Sequence, residues 1–104
     1  QPIKFGADLI VYSSTKYIDG QGRALGGAVV GKNQLVEEIN SVIRTLGNSM
    51  SPFNAWIFLK GLETLSLRMK AHCESAQKLA EWLDAHPKVE QVYYAGLPHH
   101  AGHK

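Results

Sequence analysis

Residues 6–31 read GADLIVYSSTKYIDGQGRALGGAVVG. Leu9, Ile10, Val11 and Tyr12 form a short unbroken apolar run, closed on one side by Gly6 and on the other by hydroxyl side chains. An unbroken run, rather than an alternating one, predicts a strand buried on both faces of an α/β sheet. Ser13, Ser14, Thr15 and Lys16 follow at once, three hydroxyls and an amine at the end of a strand that reads as core. Asp19-Gly20 and Gln21-Gly22 are turn pairs, so residues 17–25 read as a loop. Residues 26–31, GGAVVG, predict a second short strand with small residues at its start.

Outward from this stretch the pattern turns helical. Leu35, Ile39, Val42, Ile43 and Leu46 share one helix face; Asn33 is placed to cap it and Gly47 to end it. Ser51-Pro52 is a second helix start, serine at the cap and proline in the first turn. From there a helical pattern runs to about His86, before Pro87. Its apolar stripe is Leu62, Leu65, Met69, Cys73, Ala76, Ala80 and Leu83, which places Cys73 in a core. Gly61 interrupts the pattern at a cost of about 1 kcal/mol relative to alanine and reads as a hinge. Residues 89–94 predict a third strand, followed by a turn at Gly96-Leu97-Pro98. The order fits the end of one α/β domain, residues 1–61, and the start of another, residues 62–104.

Bulk properties narrow the function. The 104 residues are 44 % hydrophobic, ordinary for a folded chain. Eleven lysines and arginines against nine acids leave a net charge of +2, and the basic residues are scattered. No basic run interleaved with aromatics supports nucleic-acid binding. No apolar stretch approaches the ~18 residues of a membrane span, and no signal-peptide pattern opens the chain. The single cysteine forms no internal disulfide and fits a reducing, cytoplasmic setting. The ends, Gln1 just before a strand and Lys104 inside a polar loop, read as those of a piece of a longer protein. His99, His100 and His103 lack an acid or cysteine beside them and read as a solvated loop, so no metal site is expected. Glu63, Arg68 and Lys70 read as a solvated helix face, and Phe53 and Trp56 as core or subunit interface.

Chemistry concentrates at Lys16. A lysine forms an imine with a carbonyl once its amine is deprotonated, which partial desolvation favours. The carboxyl end of a strand is where open α/β sheets bind ligands, and the hydroxyls of Ser13 and Thr15 donate to phosphate oxygens. A phosphate-bearing aldehyde, pyridoxal 5′-phosphate (PLP), suits that set. The plain alternative is a solubilising lysine in a surface loop.

The whole stretch 6–31 closely resembles the lysine-bearing segment of the Cys/Met-metabolism PLP enzymes. The likeness continues through SMSPFNAWIFLKGLETLSLRM, residues 49–69, with Lys60 where many members have arginine, and on to GLPHHAGHK at 96–104. The resemblance implies the type I fold, Lys16 as the residue that bears the cofactor, and Ser13 and Thr15 as phosphate ligands. Ser14 fills the variable position and receives no role.

The loop from Tyr17 to Gly27 is similar to that of the family's O-succinylhomoserine sulfhydrylases, rather than to the Asn-Gly-His or Ser-Gly-His loops of cystathionine synthases and lyases. That likeness implies γ-replacement on an O-acylhomoserine, with succinate leaving Cγ, sulfide adding and Lys16 serving as the base at Cα. It also implies a homotetramer, a ring-nitrogen aspartate upstream of Gln1 and a carboxylate-binding arginine downstream of Lys104. The isolated chain is therefore expected to show no turnover. Cystathionine γ-synthase, cystathionine γ-lyase and methionine γ-lyase are the nearby alternatives. A non-catalytic module that pairs through the Leu62–Leu83 stripe is the alternative of another class.

Overall fold

The computed structural model describes residues 2–103. The chain divides into two compact units, Gln1–Leu65 and Ser66–Lys104.

In the first unit a short turn, Pro2–Phe5, leads into strand β1, Leu9–Ser13. A kinked helical segment, Ser14–Ile18, and a loop follow, and strand β2, Gly27–Gly31, returns antiparallel to β1. The register runs from Leu9 opposite Gly31 to Ser13 opposite Gly27. β2 therefore starts one residue later than the glycine pair suggested. The predicted burial of β1 on both faces is not found: Val11 is 76 % exposed and Tyr12 43 %. The physical reason is the sheet itself, which among the described residues has two strands, so each is an edge strand.

Helix α1 spans Asn33–Leu46. Lys32, not Asn33, occupies its cap position, and its carbonyl accepts the Val36 N–H at 3.0 Å. Gly47 ends α1 in the left-handed region (φ 76°), donating its N–H to the Ile43 carbonyl at 2.8 Å, as its place after the last apolar residue predicts. Helix α2 spans Pro52–Asp84. Ser51 caps it as expected: its Oγ accepts the Asn54 N–H at 3.2 Å.

α2 runs unbroken through Gly61, so the hinge expected there is absent. Gly61 is instead buried, and a Cβ placed on it would overlap the Ile18 carbonyl. The glycine lets the backbone of the 14–19 segment lie directly on the helix. Ala24, Ile57 and Phe58 form the core of this unit, with Ile18 packed against them. The core is thus a loop seated on the first turns of α2.

In the second unit the helix residues from Ser66 onward carry the buried Ala80, and Leu97 is 2 % exposed. The Gln77 side-chain amide donates to the Gly96 carbonyl at 3.1 Å, tying the turn after Ala95 to the helix. The strand predicted over 89–94 does not form; this segment has no regular structure. A strand needs a neighbour to satisfy its N–H and C=O groups, and among the described residues none pairs with it. Cys73, predicted in a core, is exposed. Along the stripe only Ala80 is buried, while Leu62 is 49 % exposed.

Candidate functional site

Lys16 stands where the helical path breaks. Ser14–Ile18 consists of two helical turns joined across a kink at Lys16 (φ −88°, ψ −111°). The Asp19 N–H donates to the Ser14 carbonyl at 2.8 Å, and the Gly20 N–H to the Lys16 carbonyl at 2.8 Å. The backbone on both sides of the lysine is therefore bonded inward. Its side chain is exposed and makes no ion pair among the described residues. The desolvation expected for the amine is not supplied by this stretch of chain. Two surface grooves, of about 350 Å³ beside Leu9 and α1 and about 560 Å³ beside Gly26 and Met50, do not include Lys16 in their walls.

The three hydroxyls preceding Lys16 have three different fates. Ser13, the last residue of β1, is exposed. Ser14 is 2 % exposed and turned away from solvent. Thr15 is half-buried and engaged with one residue across the loop: its Oγ1 accepts the Gly26 N–H at 3.0 Å and donates to the Gly26 carbonyl at 3.3 Å. The Thr15 N–H reaches the same carbonyl at 3.3 Å. These bonds close the mouth of the loop just beyond the last ladder pair, Ser13 and Gly27. Gly26 is pinned in turn by Phe58 of α2 and by Met50 just before that helix: a Cβ on Gly26 would meet the Phe58 ring (Cζ at 2.8 Å) and the Met50 methyl (2.9 Å).

The far side of the loop is organised by a residue that turn chemistry alone had explained. Asp19 is 2 % exposed. Its carboxylate accepts the Arg23 N–H at 2.5 Å, the Arg23 Nε–H at 2.8 Å and the Ala24 N–H at 3.4 Å. The guanidinium Nη2 of Arg23 lies 2.8 Å from the same carboxylate. Burial pushes this carboxyl up, but the N–H donors of Arg23 and Ala24 and the guanidinium charge outweigh it and hold the group below the ordinary aspartate range. The available signal in the sequence was an acid four residues before an arginine, with glycines between.

The histidines near the end are occupied separately. His100 Nδ1 accepts the Gly102 N–H at 2.9 Å, His103 Nδ1 lies 2.9 Å from the Ala95 carbonyl, and His99 Nε2 lies 3.5 Å from Asp84 Oδ1. No group of three metal-ligating side chains occurs among the described residues.

The donor set at the loop fits a PLP group. Lys16 offers an amine, and Ser13 offers a hydroxyl open to solvent. Thr15 keeps its Gly26 N–H bond while its own proton is shared only with a carbonyl at 3.3 Å, a bond long enough to yield to a phosphate. The nearby carboxylate of Asp19 is already saturated by Arg23 and Ala24, so it does not compete for the amine.

A profile of the Cys/Met metabolism PLP-dependent enzymes matches residues 1–104. The chain belongs to that family. It is 58 % identical over 104 residues to an O-succinylhomoserine sulfhydrylase of Pseudomonas aeruginosa, covering 100 % of this chain and 26 % of that protein. It is 45 % identical over 105 residues to a cystathionine beta-lyase of Coxiella burnetii, covering 99 % of this chain and 27 % of the relative. The fold matches a crystal structure of cystathionine gamma synthase from Xanthomonas oryzae pv. oryzae in complex with aminoacrylate and cysteine. That match has a TM-score of 0.92 and 46 % identity and covers 98 % of this chain and 27 % of the other. The chain thus spans about a quarter of the length of the relatives it matches, and its mixed α/β structure is a segment of the type I fold. Pyridoxal phosphate is the cofactor of the family.

Proposed function

We propose that the protein containing this chain is a PLP-dependent γ-replacement enzyme that converts O-succinylhomoserine and sulfide to homocysteine and succinate. The observation that carries the choice is the 58 % identity, over the whole chain, to a protein named for that reaction. The Asp19-Gly20-Gln21-Gly22-Arg23 loop agrees with it. Residues 1–61 are then the end of the cofactor-binding domain, and 62–104 the linking helix and the start of the C-terminal domain.

In this reading Lys16 bears the cofactor through its Nζ, and the Ser13 and Thr15 hydroxyls hold the phosphate. PLP, when bound, supplies an electron sink for the carbanion formed at the substrate Cα. The Lys16 amine would take the Cα proton of the substrate and carry protons to and from Cβ. For this the amine needs more shielding from water than these residues alone give it, since Lys16 is exposed here. Neighbouring parts of the enzyme, in a homotetramer, provide that cover, together with the ring-nitrogen aspartate and the arginine for the substrate carboxylate. The isolated chain is inactive.

A second reading is cystathionine γ-synthase, with cysteine as the incoming nucleophile; the fit to the Xanthomonas oryzae synthase favours it. Supplying the full-length enzyme with O-succinylhomoserine and either sulfide or cysteine separates the two. Preferential formation of homocysteine from sulfide supports the sulfhydrylase. Preferential formation of cystathionine overturns it in favour of the synthase.

A further inference from the structure

The loop that carries Lys16 closes on itself through one side chain. Asp19 lies three residues beyond the lysine, and its side chain has no exposed surface. Its backbone N–H bonds to Ser14, so the short segment holding Lys16 is bounded by Ser14 at one end and Asp19 at the other. Its carboxylate grips Arg23 and Ala24, and Ala24 belongs to the core with Ile57 and Phe58. A turn-forming aspartate needs only a bond to its own backbone two residues on. Here four N–H groups from residues four and five positions later converge on one carboxylate. Gly61 closes the other side, with the Ile18 carbonyl and the Asp19 Cα lying against its bare backbone.

We propose that Asp19, braced by Arg23, is a positioning residue for Lys16: it ties the backbone that bears the amine to the buried Ala24 step and so fixes the direction in which the side chain leaves the loop. The proposal rests on the PLP reading above and deepens it. It also makes a chemical distinction. Asparagine has the same shape, but one of its two acceptor oxygens becomes an NH2 group. In place of Asp19 that group meets the N–H groups of Arg23 or Ala24 donor to donor.

The test uses the full-length protein, unsubstituted and as Asp19→Asn, with Glu63→Gln as a control that breaks an exposed ion pair on α2. In the cofactor-free protein, hydrogen exchange at the Arg23 and Ala24 amides should rise roughly ten-fold in Asp19→Asn and stay unchanged in the control. In the PLP-loaded protein, the pH midpoint of the visible absorbance band should move in Asp19→Asn and not in the control. A merely structural role would lower the melting temperature and leave that midpoint in place.

Unchanged exchange overturns the proposal. So does faster exchange with an unmoved midpoint. If borohydride fixes no PLP at Lys16 of the unsubstituted protein, the cofactor reading itself fails, and this inference with it. Fixation at Lys16 with an unmoved midpoint in the variant defeats this inference alone. Should Asp19→Asn not accumulate, Arg23→Ala serves: it keeps the backbone donors and should give the same two changes, smaller, with absence of both counting against the proposal.

Discussion

The strands β1 and β2 and the loop between them are neighbours in sequence but are specified in different ways. The strands are joined by a backbone ladder, and several of their apolar side chains are open, with Val11 76 % and Val30 50 % exposed. The loop is polar by composition, yet it contains the buried Ser14, Asp19 and Ala24 and is closed by side-chain bonds to named backbone groups. A ladder tolerates any residue that suits a pleated surface. The loop depends on particular atoms, so substitutions in it should cost more, and function should fail there first.

The largest effect belongs to the amine. In the full-length enzyme, Lys16→Ala should lower turnover by at least roughly a hundred-fold, since it removes the proton-transferring group. The bonds that hold the loop, Asp19 N–H to the Ser14 carbonyl and Gly20 N–H to the Lys16 carbonyl, do not use the side chain and should survive the substitution. A comparable loss from Val11→Ala would erase the contrast between strand and loop.

Next comes Gly61→Ala. The added methyl meets the Ile18 carbonyl, a backbone atom that cannot rotate away. Overpacking of this kind costs about 1–3 kcal/mol, readable by urea denaturation of the full-length protein. A stability equal to that of the unsubstituted protein would show that the loop does not rest on α2 as described.

Thr15→Val should follow, at about 1 kcal/mol for the hydroxyl that bridges to both groups of Gly26. PLP affinity, measured by equilibrium dialysis, should fall with it. An affinity equal to that of the unsubstituted protein would remove Thr15 from the phosphate site and leave it as a strut of the loop.

Asp19 adds a dependence on pH. Its carboxyl is held below the ordinary range in the folded chain. Its contribution to stability is therefore present above the unfolded value of about 3.9 and is lost as the pH falls through the folded value. Melting temperature plotted against pH should drop more steeply below about pH 4 than it does in Asp19→Asn. Parallel curves would show that the carboxylate is no better held than an exposed one. The smallest effect should come from Lys60→Ala, which breaks the exposed pair with Glu63 and changes stability by less than about 1 kcal/mol.

Local signals were legible in the sequence, and tertiary ones were not. The Gly47 stop and the Ser51 cap each depend on a few adjacent residues, and each is found at the expected residue; α2 ends at Asp84, two residues before the expected His86. The turn pairs also hold, with Gly20 and Gly22 both at positive φ. Burial of β1, strand pairing at 89–94 and the core place given to Cys73 all depend on what lies across from a residue, which periodicity does not supply. Gly61 shows the same limit: a break in helix propensity looks alike whether the helix bends or another backbone presses on it. At the site, the order hydroxyl, hydroxyl, hydroxyl, amine was visible. The burial of Ser14, the engagement of Thr15 with Gly26 and the grip of Asp19 on Arg23 required the fold.

The central claim is that the loop presents one lysine to an aldehyde cofactor. The direct measurement is to load the full-length protein with PLP, reduce it with borohydride, digest it and locate the modified lysine by mass spectrometry. A single stoichiometric adduct on Lys16 is the predicted result. Adducts scattered over Lys4, Lys32, Lys60 and other surface lysines, with Lys16 unmodified, would contradict it.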